Sequence, residues 1–406
     1  MKSNLILAWR NLWRNRGRTL ITIASVFFGV LISTFMSSMQ EGSYTSMIDN
    51  IVKFYSGYLQ IQQEEYWDNK TIDYTFETSD SLHLLINSVP EIRNFTPRLE
   101  SFALASSEQY TRGVIVMGID PEGERAVTGI DKWLVSGEYL VAGEDGVMVA
   151  SDLARYLNLS LGDTLVMIGV GYHGASAWGK YPIRGILQLP NPELNRQSLY
   201  MELATCQEFF GVEQGVTSVV LMVDDNYQTP RAKKKLENLV TSPYRIMTWD
   251  EMQPQLLQLV EADKAGAYVM KAILYILIAF GIFGTILMMI MERRREIGVM
   301  VAIGMQRGKL SAILFLETIF IAILGVLAGF AGSLPLIYYY NLNPIRLTGQ
   351  VADTMKDMGF EPYMYFSWRP VVFYEQVIIV FLLTALISLY PMVIARTFRV
   401  HDALRS

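Results

Sequence analysis

Ala267-Tyr-Val-Met-Lys271-Ala-Ile-Leu-Tyr-Ile-Leu-Ile-Ala-Phe-Gly-Ile-Phe-Gly-Thr-Ile-Leu-Met-Met-Ile-Met291 holds one charge in a long apolar run. About 20 such residues cross the hydrocarbon core of a bilayer. Lys271, near one end, can extend its ammonium to the interface. Working outward, Leu20 to Met39, Leu310 to about Leu336, and Val371 to Ala395 have the same character. A hydrophobic fraction of 51% over 406 residues agrees with membrane segments.

Basic residues orient the spans. Arg10, Arg14, Arg16 and Arg18 precede the first. Arg293, Arg294, Arg295, Arg307 and Lys309 fill the connection between the second and third, and Arg396, Arg399 and Arg405 follow the fourth. All three clusters share one side if both termini are cytoplasmic. The expected order is a cytoplasmic interfacial helix (1–18), span one (19–40), an extracytoplasmic domain with helical stalks (41–266), span two (267–291) and a cytoplasmic connection (292–309). Span three (310–336), an extracytoplasmic loop (337–370), span four (371–395) and a cytoplasmic tail (396–406) complete it. The first span reads as an uncleaved anchor, since no A-x-A-like site ends it. Before it, Leu5, Trp9, Leu12 and Trp13 share a helical face, which suits either an interfacial helix or a basic flank with tryptophans at headgroup depth.

From Gly42 to Lys264 about 30 acidic residues face 17 basic ones, while the rest of the chain is net basic. This acidic insert alternates strand and helix signals, predicting a mixed α/β domain, in one lobe or two. Strands are predicted at Tyr58–Ile61, Thr96–Ala105, Gly113–Ile119, Val147–Ala150, Thr164–Ile168, Ile183–Gln188, Leu199–Met201 and Ser218–Val223. Helices are predicted at Ser81–Ser88, Ser151–Tyr156, Ala204–Phe209, Arg231–Val240 and Trp249–Ala262, the first capped by Asp80 or Ser81. Cys206 is the only cysteine, so no internal disulfide forms. His83, His173 and His401 are far apart in sequence, which argues against a histidine metal site. Gly174-Ala-Ser-Ala-Trp-Gly179-Lys180 matches a phosphate-loop spacing, but Tyr181 replaces the magnesium-binding hydroxyl and Pro182 follows. A plain hairpin tip is expected there. No catalytic constellation is apparent, so the chain is expected not to be an enzyme.

Glu292-Arg-Arg-Arg-Glu296-Ile-Gly298-Val-Met-Val-Ala-Ile-Gly304-Met-Gln-Arg307-Gly-Lys309 is too short and polar to span. It reads as an amphipathic helix with Ile297, Met300, Val301, Gly304 and Met305 on its apolar face, or as a charged turn obeying the positive-inside bias. The stretch resembles the coupling-helix signature of the MacB/LolC/LolE/FtsX class of ABC-transporter permeases: Arg295, Glu296, Ile297, Gly298, Ala302, Gly304 and Arg307 all fit. Ala8 to Arg16 is similar to the family's N-terminal basic motif, and Val149 to Thr164 and Tyr200 to Gln207 to elements of its outer domain. Tyr390 to Arg396 with Asp402 to Arg405 resembles its C-terminal pattern, although Val400-His401-Asp402 lacks the usual proline.

The resemblance implies a four-span α-helical integral membrane protein with a MacB-like periplasmic α/β domain between helices 1 and 2, in a bacterial inner membrane. It implies ATP and Mg bound by a partner ATPase in two copies, a second permease chain, and no cofactor on this chain. The expected mechanism is mechanotransmission, and the layout is most similar to LolE-type lipoprotein-releasing permeases. MacB-like efflux and FtsX-like regulation of an envelope hydrolase are the alternatives. Arg293, Arg294, Arg295, Glu296, Ile297, Gly298, Met300, Val301, Gly304 and Arg307 are the candidate ATPase-coupling residues. Ser25, Gly29, Ser33 and Ser37 recur on one face of span one, and Gly325 and Gly329 mark span three. Small residues permit close helix approach, so both faces suit packing within the chain, and the family resemblance makes the first of them also a candidate for a second permease chain and substrate access. The hairpin bearing Tyr172, His173, Trp178 and Tyr181 is the candidate contact for a periplasmic lipoprotein carrier. Glu317, near the inner end of span three, is expected to pair with a nearby Arg or Lys.

Overall fold

The computed structural model describes residues 2–14, 16–52, 55–357 and 362–397. Asp402 to Arg405, with Arg399, lie outside these residues. In chain order the helices are α1 (Lys2–Arg14), α2 (Arg16–Val52), α3 (Tyr66–Asn69), α4 (Asp80–Asn87), α5 (Pro121–Thr128), α6 (Ser151–Leu157), α7 (Pro192–Gln197) and α8 (Leu203–Phe210). They continue with α9 (Thr229–Leu239), α10 (Trp249–Met252), α11 (Pro254–Glu292), α12 (Arg294–Ala302), α13 (Arg307–Leu342), α14 (Gln350–Asp357), α15 (Pro370–Ile387) and α16 (Leu389–Thr397). The chain divides into two compact units: residues 1–44, 259–346 and 363–406, and residues 45–258 with 347–362. Both α2 and α11 run uninterrupted through a unit boundary.

Among the described residues four helices are long and apolar enough to cross a membrane: Thr19–Asn50, Pro254–Glu292, Arg307–Leu342 and Pro370–Val393. Val26 and Val30 of α2 meet Ile282, Ile286 and Ile290 of α11, Val326 of α13 and Val380 of α15 in a shared core. Leu12 of α1 is buried with Met289 and Ile321, and Trp9 meets Phe320 edge to face at 5.7 Å. The Thr19 hydroxyl donates to the Leu12 carbonyl at 2.8 Å, fixing the turn from α1 into α2.

The second unit is built on ten strands: β1 (Leu59–Gln63), β3 (Ile92–Ser106), β4 (Thr111–Ile119), β5 (Leu134–Gly137), β6 (Val147–Ala150), β7 (Thr164–Val170), β8 (Ser176–Leu187), β9 (Ser198–Glu202), β11 (Ser218–Val223) and β12 (Tyr244–Thr248). The short β2 (Phe76–Glu77) pairs with β10 (Gly215–Val216), and in the first unit β13 (Ile345–Arg346) pairs with β14 (Tyr363–Met364). The ten form one sheet in the order β12-β1-β11-β3-β4-β9-β6-β8-β5, with β7 bridging β3 and β8. Closure follows, because β3, β4, β9, β6, β8 and β7 hydrogen-bond in a ring. Alternation along β3 turns Leu99, Ser101, Ala103 and Ala105 inward and Phe102 and Leu104 outward. The interior gathers Leu99, Val116, Val149, Leu165, Met167 and Leu199 with Cys206 and Phe210 of α8.

Every predicted strand is present, and β3 and β8 are longer than expected. Of the predicted helices, Trp249–Ala262 is split. Pro254 has no N–H and pushes Gln253 out of helical geometry, to φ −128° and ψ 65°. The cap of α4 is Ser79, not Asp80 or Ser81; its hydroxyl accepts from Leu82 N at 3.2 Å. Arg98 and Glu124 form a buried, two-pronged ion pair (2.6 and 2.9 Å) joining β3 to α5. Leaving either charge alone there would cost about 3–5 kcal/mol.

Candidate functional site

The connection between the second and third apolar helices folds as α12. Its end is set by Gly304, at φ +97°. Gly304 N–H donates to the Val301 carbonyl and Met305 N–H to that of Met300, both at 3.1 Å. This is a Schellman turn, and glycine fits its left-handed position without strain. The turn brings Met300, Val301 and Met305 onto Leu310 and Leu314 of α13. The apolar face expected to meet an ATPase is thus partly spent inside the chain. Val299 and Ile303 are instead exposed, Ile303 at 80%.

Among the charged candidates, Arg293 is buried. Its Nη1 lies 2.7 Å from Glu317 Oε1, and its Nε 3.5 Å from Glu296 Oε2. The exposed Glu296 also pairs with Arg14 of α1. Arg14, Arg295, Glu296, Val299 and Met300 line an open cleft of about 410 Å³. Sequence reasoning missed Arg14 and Val299 in this cleft, and also the exposed Ile303 at the end of α12. Arg295 and Arg307 are exposed, and Gly298 is buried. Arg294 and Ile297 lie in α12, with side chains outside the described part of the structure. Glu317 has the arginine partner expected for an acid within an apolar helix.

The small-residue faces are covered within the chain. A Cβ on Gly325 would stand 2.5 Å from Val26 Cβ, and one on Gly329 2.7 Å from Val30 Cβ. Gly29 faces Ile278 and Val380. Ser33 is buried and donates to the Val30 carbonyl, Ser37 is buried, and Ser25 donates to the Ile21 carbonyl. Gly29, Ser33 and Ser37 are thus packed within the chain, with Ile278 of α11 and Val380 of α15 beside Gly29. Among the described residues, Leu20, Ile21, Phe28 and Ile32 are the exposed large apolar side chains of α2.

In the second unit, Gly174 ends the tip of the β7–β8 hairpin and Ser176 to Lys180 continue as strand, with no helix after them. Tyr172 and His173 are in ring contact at 3.9 Å. Trp178 is exposed on one face of β8, whereas Tyr181 turns to the other and packs edge to face on Phe209. Partial burial pushes the Tyr181 phenol up to about 12. The four aromatic candidates therefore do not form one patch. Among the described residues no cluster of His, Cys, Asp and Glu has metal-binding geometry.

Comparison with known proteins supplies the family. Residues 19–239, more than half of the chain, match the MacB-like periplasmic core domain. Residues 268–399 match the FtsX-like permease C-terminal region. The macrolide export ATP-binding/permease protein MacB of Psychrobacter arcticus is 22% identical over 337 residues, which cover 77% of this chain and 48% of that protein. The chain thus spans about half the length of this curated relative. Among solved structures, the extracellular domain of the ABC-type transporter YknZ from Gram-positive bacteria covers 47% of this chain and 99% of its own, at 15% identity and TM-score 0.34. The periplasmic region of MacB from Actinobacillus actinomycetemcomitans covers 52% and 97%, at 14% identity and TM-score 0.35. With its four apolar helices and these two matched regions, the chain is a membrane protein belonging to the MacB/FtsX-like family of ABC-transporter permeases.

Proposed function

We propose that the chain is the moving membrane part of an ATP-driven machine that extracts lipidated proteins from a bacterial inner membrane. The ATPase is cytoplasmic, carried on a separate subunit or on a region outside this sequence, and it binds ATP and Mg. It engages α12 through the cleft lined by Arg14, Arg295 and Glu296 and through the exposed Val299 and Ile303. Single exposed ion pairs contribute about 0–1 kcal/mol, so the apolar contacts carry most of the affinity. The observation that supports transmission of force is the continuity of α2 and α11 through the unit boundaries. Rigid helices of this length carry a displacement from one end to the other.

Depletion of the protein followed by envelope fractionation tests the reading. Lipoproteins stranded in the inner membrane are the expected result. Normal sorting with new sensitivity to drugs or peptides overturns it in favour of export, a second reading that the likeness to the macrolide exporter supports. Normal sorting with a cell-wall defect overturns it in favour of regulation of an envelope hydrolase.

A further inference from the structure

The outward face of the barrel carries an apolar strip. Phe102, Leu104, Ile168 and Val170 are each more than half exposed. Leu104 lies opposite Ile168 in the β3–β7 register, so the side chains share one face. They form the floor of a groove of about 600 Å³, within the size range of small-ligand sites. Lys70 to Asp73 form a wall. The His173 backbone N–H donates to the Asp73 carboxylate at 2.7 Å, which ties that wall to the β7–β8 hairpin.

Two properties narrow the occupant. Where Leu104 faces Ile168 the floor strands are paired on both edges, β3 with β4 and β7, and β7 with β3 and β8. A peptide would find no free backbone edge there for strand addition, whereas an acyl chain requires no hydrogen bonds. The second property is charge. Lys70 is held over the Trp67 ring at 3.4 Å and forms no ion pair among the described residues. Burial lowers its pKa, and the Glu100 charge partly restores it. The acidic side chain of the wall, Asp73, is already engaged by the hairpin.

We infer that the groove holds the acyl chain of an anionic single-chain lipid, with the anionic head at Lys70. The inference needs no nucleotide and is read without one, so it stands or falls separately from the ATP-driven reading above.

The test uses the full chain in phosphatidylcholine nanodiscs, a photoreactive palmitic acid and its methyl ester, with cross-links mapped by mass spectrometry. The acid is expected to label the segments around 102–104 and 168–170. Leu104→Ser with Ile168→Ser lowers that labelling roughly tenfold. Lys70→Gln lowers labelling by the acid roughly fivefold and leaves the ester unchanged. The substituted apolar side chains are exposed, so an unchanged melting temperature shows that the fold is retained. If melting shifts, Phe102→Ser replaces the pair, with the same loss expected. Labelling confined to the apolar helices, or equal in variant and parent, overturns the inference. Equal capture of acid and ester overturns the place of the head, and cross-links between copies through this strip overturn it in favour of self-association.

Discussion

The guanidinium of Arg293 meets the carboxylate of Glu317 at 2.7 Å, with side-chain exposures of 9% and 2%. Arg293 also reaches Glu296, and Glu296 pairs with Arg14. A run of alternating charges thus links α13, the turn before α12, α12 itself and α1. Its buried step matters most, because an exposed pair contributes little and an orphaned buried charge costs much. Glu317→Ala or Arg293→Ala is expected to lower stability by about 3–5 kcal/mol. Arg293→Met with Glu317→Leu should recover most of the loss. Thermal unfolding in detergent decides it, and additive losses in the double variant would rule out the coupling.

Gly304 supplies a second test. Its φ of +97° disfavours any side chain with a Cβ, although no neighbour lies within 4 Å of the position that atom would take. The penalty is therefore conformational and not steric. Gly304→Val is expected to cost about 1–3 kcal/mol and to loosen the turn between α12 and α13, with Gly304→Asn milder. Hydrogen exchange across 300–310 reports the effect. Equal protection in all three proteins would mean that the Schellman turn is not what ends α12.

The apolar helices were legible because hydrophobicity over 20 residues is a local property. Strands such as Val147–Ala150 and Ser218–Val223 were legible for the same reason, as short β-branched runs. What escaped depended on distant partners. Tyr244–Thr248 becomes β12 through pairing with β1, far away in sequence. The amphipathic pattern of α12 revealed that one face is apolar, yet not that Leu310 and Leu314 would cover Met300 and Val301. Likewise a run of arginines reads as solvated, and nothing local marks Arg293 as the buried one. The aromatic hairpin is a different case. Trp178 and Tyr181 are three apart, and the period of two on a strand sends them to opposite faces.

Close approach of α2 and α13 rests on two glycines. A Cβ at Gly325 would overlap Val26, and one at Gly329 would overlap Val30. Overpacking of this kind costs about 1–3 kcal/mol. Gly325→Val is expected to lower the melting temperature in detergent, and Val26→Ala in the same chain to restore part of it. Failure of Val26→Ala to rescue, with full rescue by a change elsewhere in α2, would place the contact wrongly.

Cys206 offers a probe of the second unit. It is fully buried on α8, and burial pushes its thiol pKa well above the ordinary range. Gly118 is the close neighbour, where a Cβ would stand 2.4 Å from that of Cys206. The folded thiol therefore stays protonated at pH 8 and out of reach of reagents, since only the thiolate reacts. Alkylation by iodoacetamide is expected to be negligible in the native protein and complete in denaturant. The pH dependence has a definite sign. The folded pKa is raised, so this group leaves stability untouched below about pH 8.5, the unfolded thiol value. Above it, ionisation favours the unfolded chain and stability falls. Cys206→Ala should remove that alkaline slope, and Gly118→Ala should make the thiol reactive under native conditions by forcing α8 away from β4. Rapid native labelling of the parent protein at pH 8 would show that α8 does not seal the barrel.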